Sequence, residues 1–76
     1  MIIYKKKDSK TKLQEIVQSR SDELPFYRLI KMSGEAHDPV FEMEVSACGK
    51  VASGFGNSKK SAEHDAAKKL IEKLSR

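Results

Sequence analysis

Seventy-six residues with a single cysteine form one small domain whose stability rests on packing and cannot draw on an internal disulfide. A lone cysteine suits a reducing compartment, and no apolar run is long enough for a membrane span or a signal peptide, so an intracellular module, cytoplasmic or nuclear, is expected. The formal charge of +4 arises wholly in residues 1–12, where five lysines accompany Asp8; residues 13–76 balance ten basic against ten acidic side chains, so bulk charge alone does not identify a polyanionic partner.

Residues 1–7 begin Ile2-Ile3-Tyr4, continue with three lysines and carry no helical or strand period. They read as a flexible basic arm, able to strengthen phosphate contacts without sequence preference. The folded unit is expected over residues 8–75. Asp8 or Ser9 can cap a helix running to about Arg20, in which Leu13, Ile16 and Val17 fall on one side with the Arg20 stem. The opposite side gathers Thr11, Gln14, Glu15 and Gln18, flanked by Lys10 and Lys12. Such hydrogen-bonding groups suit a hydroxyl-rich surface edged by phosphates, and they equally suit an ordinary solvated helix face.

Ser21 to Pro25 reads as a turn, because Pro25 excludes helix just before the next element. Phe26 to Met32 is expected to be a strand with Tyr27 and Leu29 on one face. The polar run Ser33 to Pro39, containing Gly34, reads as a loop too long for a tight hairpin turn. Val40 to Ala47 then alternates cleanly, Phe41, Met43 and Val45 one way and Glu42, Glu44 and Ser46 the other. A short turn at Cys48-Gly49-Lys50 leads to a third strand, Val51 to Gly56, completing an antiparallel meander. Ala52, Gly54 and Gly56 share a face there and should meet the helices, since a helix approaches a sheet closely only where side chains are missing. Phe55, with Ile30 and Val51, would then lie on the open face, either as a partner site or as scattered apolar surface.

Asn57 or Ser58 caps a last helix to about Leu74, whose stripe of Ala62, Ala66, Ala67, Leu70, Ile71 and Leu74 is small at its start, as packing on those glycines requires. Lys59 and Lys60 fill its first turn. Cations are unfavourable at the positive end of a helix dipole, so two of them there, beside free amides, point to an anion such as phosphate. Lys59, Lys60 and Glu63 fall on the stripe side of the helical wheel, so this first turn should project past the sheet edge.

Catalysis finds no footing. His37 and His64 are the only imidazoles and Cys48 the only thiol, no nucleophile stands beside a base, and these three lack the paired spacing and fourth ligand of a zinc site. Gly54-Phe55-Gly56 is not a dinucleotide fingerprint, because the third glycine and a βαβ unit are missing. A binding module without cofactor or metal is the expected class.

Taken together, Thr11-Lys12-Leu13-Gln14-Glu15, Leu24-Pro25-Phe26-Tyr27, Gly34-Glu35-Ala36-His37 and Gly54 to Ala62 resemble, in order and spacing, the double-stranded RNA-binding domain family. The resemblance spans residues 8–74. It implies an α+β fold of order α-β-β-β-α, with both helices packed on one face of a three-stranded antiparallel sheet. It also implies shape-selective, sequence-independent binding across about 16 base pairs of A-form duplex, through two minor grooves and the phosphates between them. On that resemblance Thr11, Gln14 and Glu15 would lie in one minor groove, with Gln18 a neighbour, Lys10 a flanking RNA-binding residue and Glu15 accepting from a ribose 2′-OH. Gly34, Glu35, Ala36 and His37 would meet the second, while Asn57, Ser58, Lys59 and Lys60 would bridge the phosphates. Glu63 replaces a third basic residue of many strong binders and Glu35 a loop proline, so modest affinity is expected. The opening from Asp8 to Glu15 and Glu63 are most similar to the C-terminal RNA-binding domain of ribonuclease III- and Dicer-type proteins, which would make this the non-catalytic part of an RNA-processing protein. The rival reading is a protein–protein module of the same fold, with weak or lost RNA binding and a partner on the outer face at Ile30, Val51 and Phe55; a monomer in isolation is expected.

Overall fold

The computed structural model describes residues 8–21 and 23–75; the arm expected at residues 1–7, and Asp22 of the first turn, lie outside the described residues. Helix α1 (Ser9–Arg20) begins where the Asp8 carboxylate accepts the Thr11 amide at 2.8 Å. Helix α2 (Lys59–Leu74) begins where Ser58 Oγ accepts the Ser61 amide at 3.0 Å. Of the two candidates at each helix start, Asp8 and Ser58 are therefore the caps. Between the helices run β1 (Phe26–Glu35), β2 (Asp38–Ala47) and β3 (Lys50–Gly56), an antiparallel sheet in the order β1-β2-β3. The order α-β-β-β-α is the expected one.

The first hairpin differs from the expectation. Strand pairing continues through Gly34 opposite Pro39 and Glu35 opposite Asp38, so the expected long loop is a pair of strand ends joined by Ala36 and His37 alone. Polar side chains do not prevent a backbone ladder, and Gly34 supplies the left-handed conformation the bend needs, with φ at +85°. A bulge intervenes between Leu29, opposite Met43, and Lys31, opposite Glu42, which leaves Ile30 as the extra residue. At the other end of β2 the turn is tight, as expected, with Cys48 and Gly49 both at positive φ (52° and 73°), the pattern that matches the right-handed twist of a two-residue hairpin.

The core lies between the sheet and the helices. Leu13 and Val17 of α1, Val45, Ala47 and Ala52 of the sheet and Ala66, Ala67, Leu70 and Leu74 of α2 form one buried cluster, with Ile16, Tyr27 and Ile71 partly buried against it. Helix α2 packs on β3 and β2 and α1 packs on α2, which leaves β1 largely uncovered. Close approach of α2 to β3 depends on the two glycines. A Cβ at Gly54 would stand 2.6 Å from the Asp65 carbonyl carbon and 2.8 Å from the Ala66 Cα, and one at Gly56 would stand 2.7 Å from the Ala62 nitrogen. These are backbone atoms, which cannot swing aside.

Side chains of α2 also close the free edge of β3. The Asp65 carboxylate accepts the Phe55 amide at 2.9 Å and the Lys69 ammonium at 3.0 Å, and Lys69 stands 5.7 Å from the Phe55 ring centroid. The Phe55 amide, and after it Lys69, holds the Asp65 carboxyl below the usual carboxylate range. Lys73 reaches round to the Val51 carbonyl. At the far end of the helix pair the Arg20 guanidinium donates to the Leu74 carbonyl at 2.8 Å, capping α2 from α1.

Gly54→Ala is expected to destabilise the domain by about 1–3 kcal/mol, because the added methyl meets helix backbone and α2 must lift from β3. Ser53→Ala, on the opposite face of the same strand, should stay within about 0.5 kcal/mol of wild type. Urea unfolding of both variants checks the contrast.

Candidate nucleic-acid interface

The first turn of α2 is where the cations gather. Lys59 and Lys60 are exposed, no acidic residue shares their turn, and by helix geometry their amides have no intrahelical acceptor. The turn protrudes because the small residues draw the helix close to β3 from Ala62 onward. Ser58 is the cap, so its hydroxyl is engaged with the Ser61 amide.

Asn57 is a bracing residue. Its Nδ2 donates to the Pro39 carbonyl at 2.9 Å and to Asp38 Oδ1 at 3.1 Å, tying the start of α2 to the first hairpin. That hairpin presents Gly34, Glu35, Ala36 and His37, all exposed, with His37 Nε2 lying 3.1 Å from Glu35 Oε2. A positively charged imidazole would be paired at this tip. On the other side α1 exposes Thr11, Gln14, Glu15 and Gln18, the polar face expected from the sequence. Lys10 differs from these four. Its Nζ lies 2.7 Å from Glu63 Oε1 and 4.9 Å from the centroid of the Tyr27 ring, so it links α1 to α2.

Three exposed polar groups, on α1, on the hairpin tip and at the start of α2, are thus connected through α2 by Lys10 with Glu63 and by Asn57 with Pro39. Neither tie has a local sequence signal, since the partners stand 53 and 18 positions apart. The cap preference of Asn57 and Ser58 shows in the sequence; which of them caps and which braces does not.

The outer sheet face carries a different arrangement from the expected patch. Ile30, Val51 and Phe55 are all exposed, but in register Val51 lies opposite Ser46 and Phe55 opposite Glu42, while Arg28 pairs with Glu44 at 2.8 Å across the middle of the face. The three are separated by polar side chains. Val51 instead joins Leu24 and Phe26, which sequence reasoning misses, in lining a shallow depression of about 420 Å³ with Glu23 and Lys50. Phe26 and Val51 both stand opposite Ser46, from either side, and only the strand register reveals that neighbourhood.

His37 and Cys48 terminate β2 at opposite ends, so they cannot share a metal with His64 of α2. Among the described residues, no helix is long and apolar enough to cross a membrane.

A family model described as the double-stranded RNA binding motif matches residues 9–74. Ribonuclease 3 of Limosilactobacillus fermentum is 52% identical over 68 residues, covering 88% of this chain and 29% of that protein. Ribonuclease 3 of Psychromonas ingrahamii is 46% identical over 70 residues, covering 91% of this chain and 31% of that protein. The chain therefore spans about three tenths of the length of these curated relatives. Among solved structures, Arabidopsis HYL1, described with its implications for miRNA processing, superposes with a TM-score of 0.75 at 27% identity, covering 90% of this chain and 97% of that one. The first double-stranded RNA-binding domain of DRB4 gives a TM-score of 0.72 at 36% identity, covering 87% and 93%.

Burial, and then the negative charges of Glu63 and Asp8, push the Tyr27 phenol up to about 12. Its hydroxyl has no hydrogen-bond partner among the described residues. A raised phenol favours the folded state fully below the ordinary tyrosine value of about 10, and that contribution is lost as pH rises toward 12. In a Tyr4→Phe background, which leaves Tyr27 as the single tyrosine, ultraviolet titration should show a midpoint near 12. Glu63→Gln should lower that midpoint while leaving it above the ordinary range, because burial is the larger cause.

Proposed function

The chain belongs to the double-stranded RNA-binding motif family, and on that premise we propose that this domain binds A-form duplex by shape, with α1 in one minor groove, the Ala36-His37 hairpin tip in the next and the start of α2 on the intervening phosphates. The supporting observation is the first turn of α2: two exposed lysines and their free amides, braced on one side to the hairpin by Asn57 and on the other to α1 by Glu63. An anion there meets ammonium groups, amide hydrogens and the helix dipole together.

On this reading each group has one role. Thr11, Gln14 and Gln18 offer donors and acceptors to ribose hydroxyls and base edges, and Glu15 accepts a 2′-OH that DNA lacks. Gly34 to His37 reach the second minor groove through backbone and imidazole. Lys59 and Lys60 neutralise phosphate and supply affinity without reading sequence. Asn57 and Ser58 act by holding the other groups in place. The partner is then an RNA duplex inside the cell, and the domain is the non-catalytic, duplex-holding part of a longer ribonuclease III-type protein.

Lys59→Ala with Lys60→Ala should weaken binding to an RNA duplex of about 20 base pairs by about 10- to 100-fold at low salt. The same change should flatten the plot of log affinity against log salt by about 0.9 for each lysine. An unchanged slope removes α2 from the phosphate contact. Glu15→Ala should lower RNA affinity more than affinity for the matching DNA duplex, and equal losses on both would remove Glu15 as the 2′-OH reader.

A further inference from the structure

Glu63 ties α2 to α1, but it does so as an anion one turn beyond Lys59, on the helix whose start carries the cations. Its surroundings explain it. Lys10, from the other helix, reaches across to place its ammonium 2.7 Å from the Glu63 carboxylate. The pair is partly sheltered, with the Lys10 side chain 37% and the Glu63 side chain 22% exposed, and the Tyr27 ring lies 4.9 Å from the ammonium. Lys10 is thus directed inward between the two helices by a carboxylate and an aromatic face. Lys59 and Lys60, one turn earlier, stand exposed on the same helix.

The chemistry of this contact is that of a phosphate contact. An ammonium at 2.7 Å from a carboxylate oxygen has the separation and charge arrangement it would have on a phosphate oxygen. A paired ammonium presents little field beyond its partner, so it adds almost nothing to the attraction of a neighbouring polyanion. We propose that Glu63 stands in for phosphate at Lys10, retaining inside the domain a cation that would otherwise contact the duplex, and so limits affinity. This rests on the duplex-binding reading and adds to it a residue that limits how many phosphates the domain neutralises.

The test is a salt series of RNA-duplex affinity on the full chain, for wild type, Glu63→Gln, Lys10→Met, the double variant and Glu72→Gln. Glu72 is exposed near the far end of α2 and controls for bulk charge. Glu63→Gln should bind about 3- to 10-fold more tightly at low salt, with a slope steeper by about one phosphate contact. Lys10→Met should cancel the added slope in the Glu63→Gln background. Glu72→Gln should not steepen the slope.

Weaker binding by Glu63→Gln would overturn the proposal, because the tie to α1 would then matter more than the retained cation. An unsteepened slope, a steeper one that survives Lys10→Met, or an equal effect of Glu72→Gln would overturn it as well. Should Glu63→Gln lose its fold by circular dichroism, Glu63→Ala takes its place, with the same slopes expected and the same outcomes overturning the proposal. A wild-type chain that binds no duplex overturns the duplex reading itself and is recognised before any variant is compared.

Discussion

The approach of α2 to β3 at Gly54 and Gly56 is the constraint on which the rest of the structure depends. With no side chain at either position, the backbone of the Ser61-Ala62 and Asp65-Ala66 turns comes directly over the strand, and only small side chains, Ser61, Ala62 and Ala66, fit there. Larger residues, Leu70 and Leu74, return where the helix diverges from the glycines and meets Leu13 and Val17 of α1. The same closeness brings Asp65, Lys69 and Lys73 within reach of the β3 edge, so that edge is closed by the helix that packs on the strand. It also fixes where α2 begins, since a helix held down from Ala62 onward must carry its first turn past Gly56 into solvent.

Around that exposed turn, polar bonds and not apolar packing set the geometry. Apolar packing is non-directional and tolerates small sliding, whereas a bond from Asn57 to the Pro39 carbonyl or from Lys10 to Glu63 fixes a distance. A surface that recognises the shape of a long, regular ligand needs its separate contact groups at set distances from one another. On the proposed duplex-binding reading, ties from α2 to the hairpin and to α1 serve that need, and Arg20 on the Leu74 carbonyl fixes the other end of the helix pair.

What can be read in the sequence is local. Both helices, their capping positions, the alternation of β2 and the match of small residues on β3 to alanines on α2 depend on neighbours within one or two turns, and all appear in the structure. What cannot be read depends on partners far along the chain. The polar run from Ser33 to Pro39 lacks every side-chain sign of a strand, yet its backbone pairs because β2 already lies beside it. The bulge at Ile30 exchanges the faces of β1 beyond it, bringing Met32 opposite Phe41, and no alternation in the strand itself announces that exchange. For the same reason strand alternation groups Ile30, Val51 and Phe55 on the outer face, whereas the register sets Val51 beside Phe26, on either side of Ser46. Lys10 groups by sequence with the exposed polar residues of its helix because its partner, Glu63, belongs to another element.

The balance of charge in residues 13–76 acquires a meaning once the fold is known. On the outer sheet face Glu42 and Glu44 line β2, with Arg28 bound to Glu44, whereas Lys59 and Lys60 project from the start of α2 with no acid in their turn. A domain of no net charge can therefore present one cationic site, because what a polyanion meets at close range is the local arrangement and not the sum. Screening strengthens the point: at physiological ionic strength a charge beyond about 8 Å contributes little, so the acids of the outer face hardly weaken the lysines on the helix side. Glu63 is different because it lies one turn from those lysines, well within that range, and its effect on them depends on Lys10. With Lys10 beside it, the carboxylate is neutralised within the domain and the two lysines keep their full field. Without Lys10, the same carboxylate would repel the phosphates they attract. On the proposed reading the pair thus allows an acid to stand beside a polyanion site, and the number of cations left outside the pair would set how strongly that site can hold a duplex.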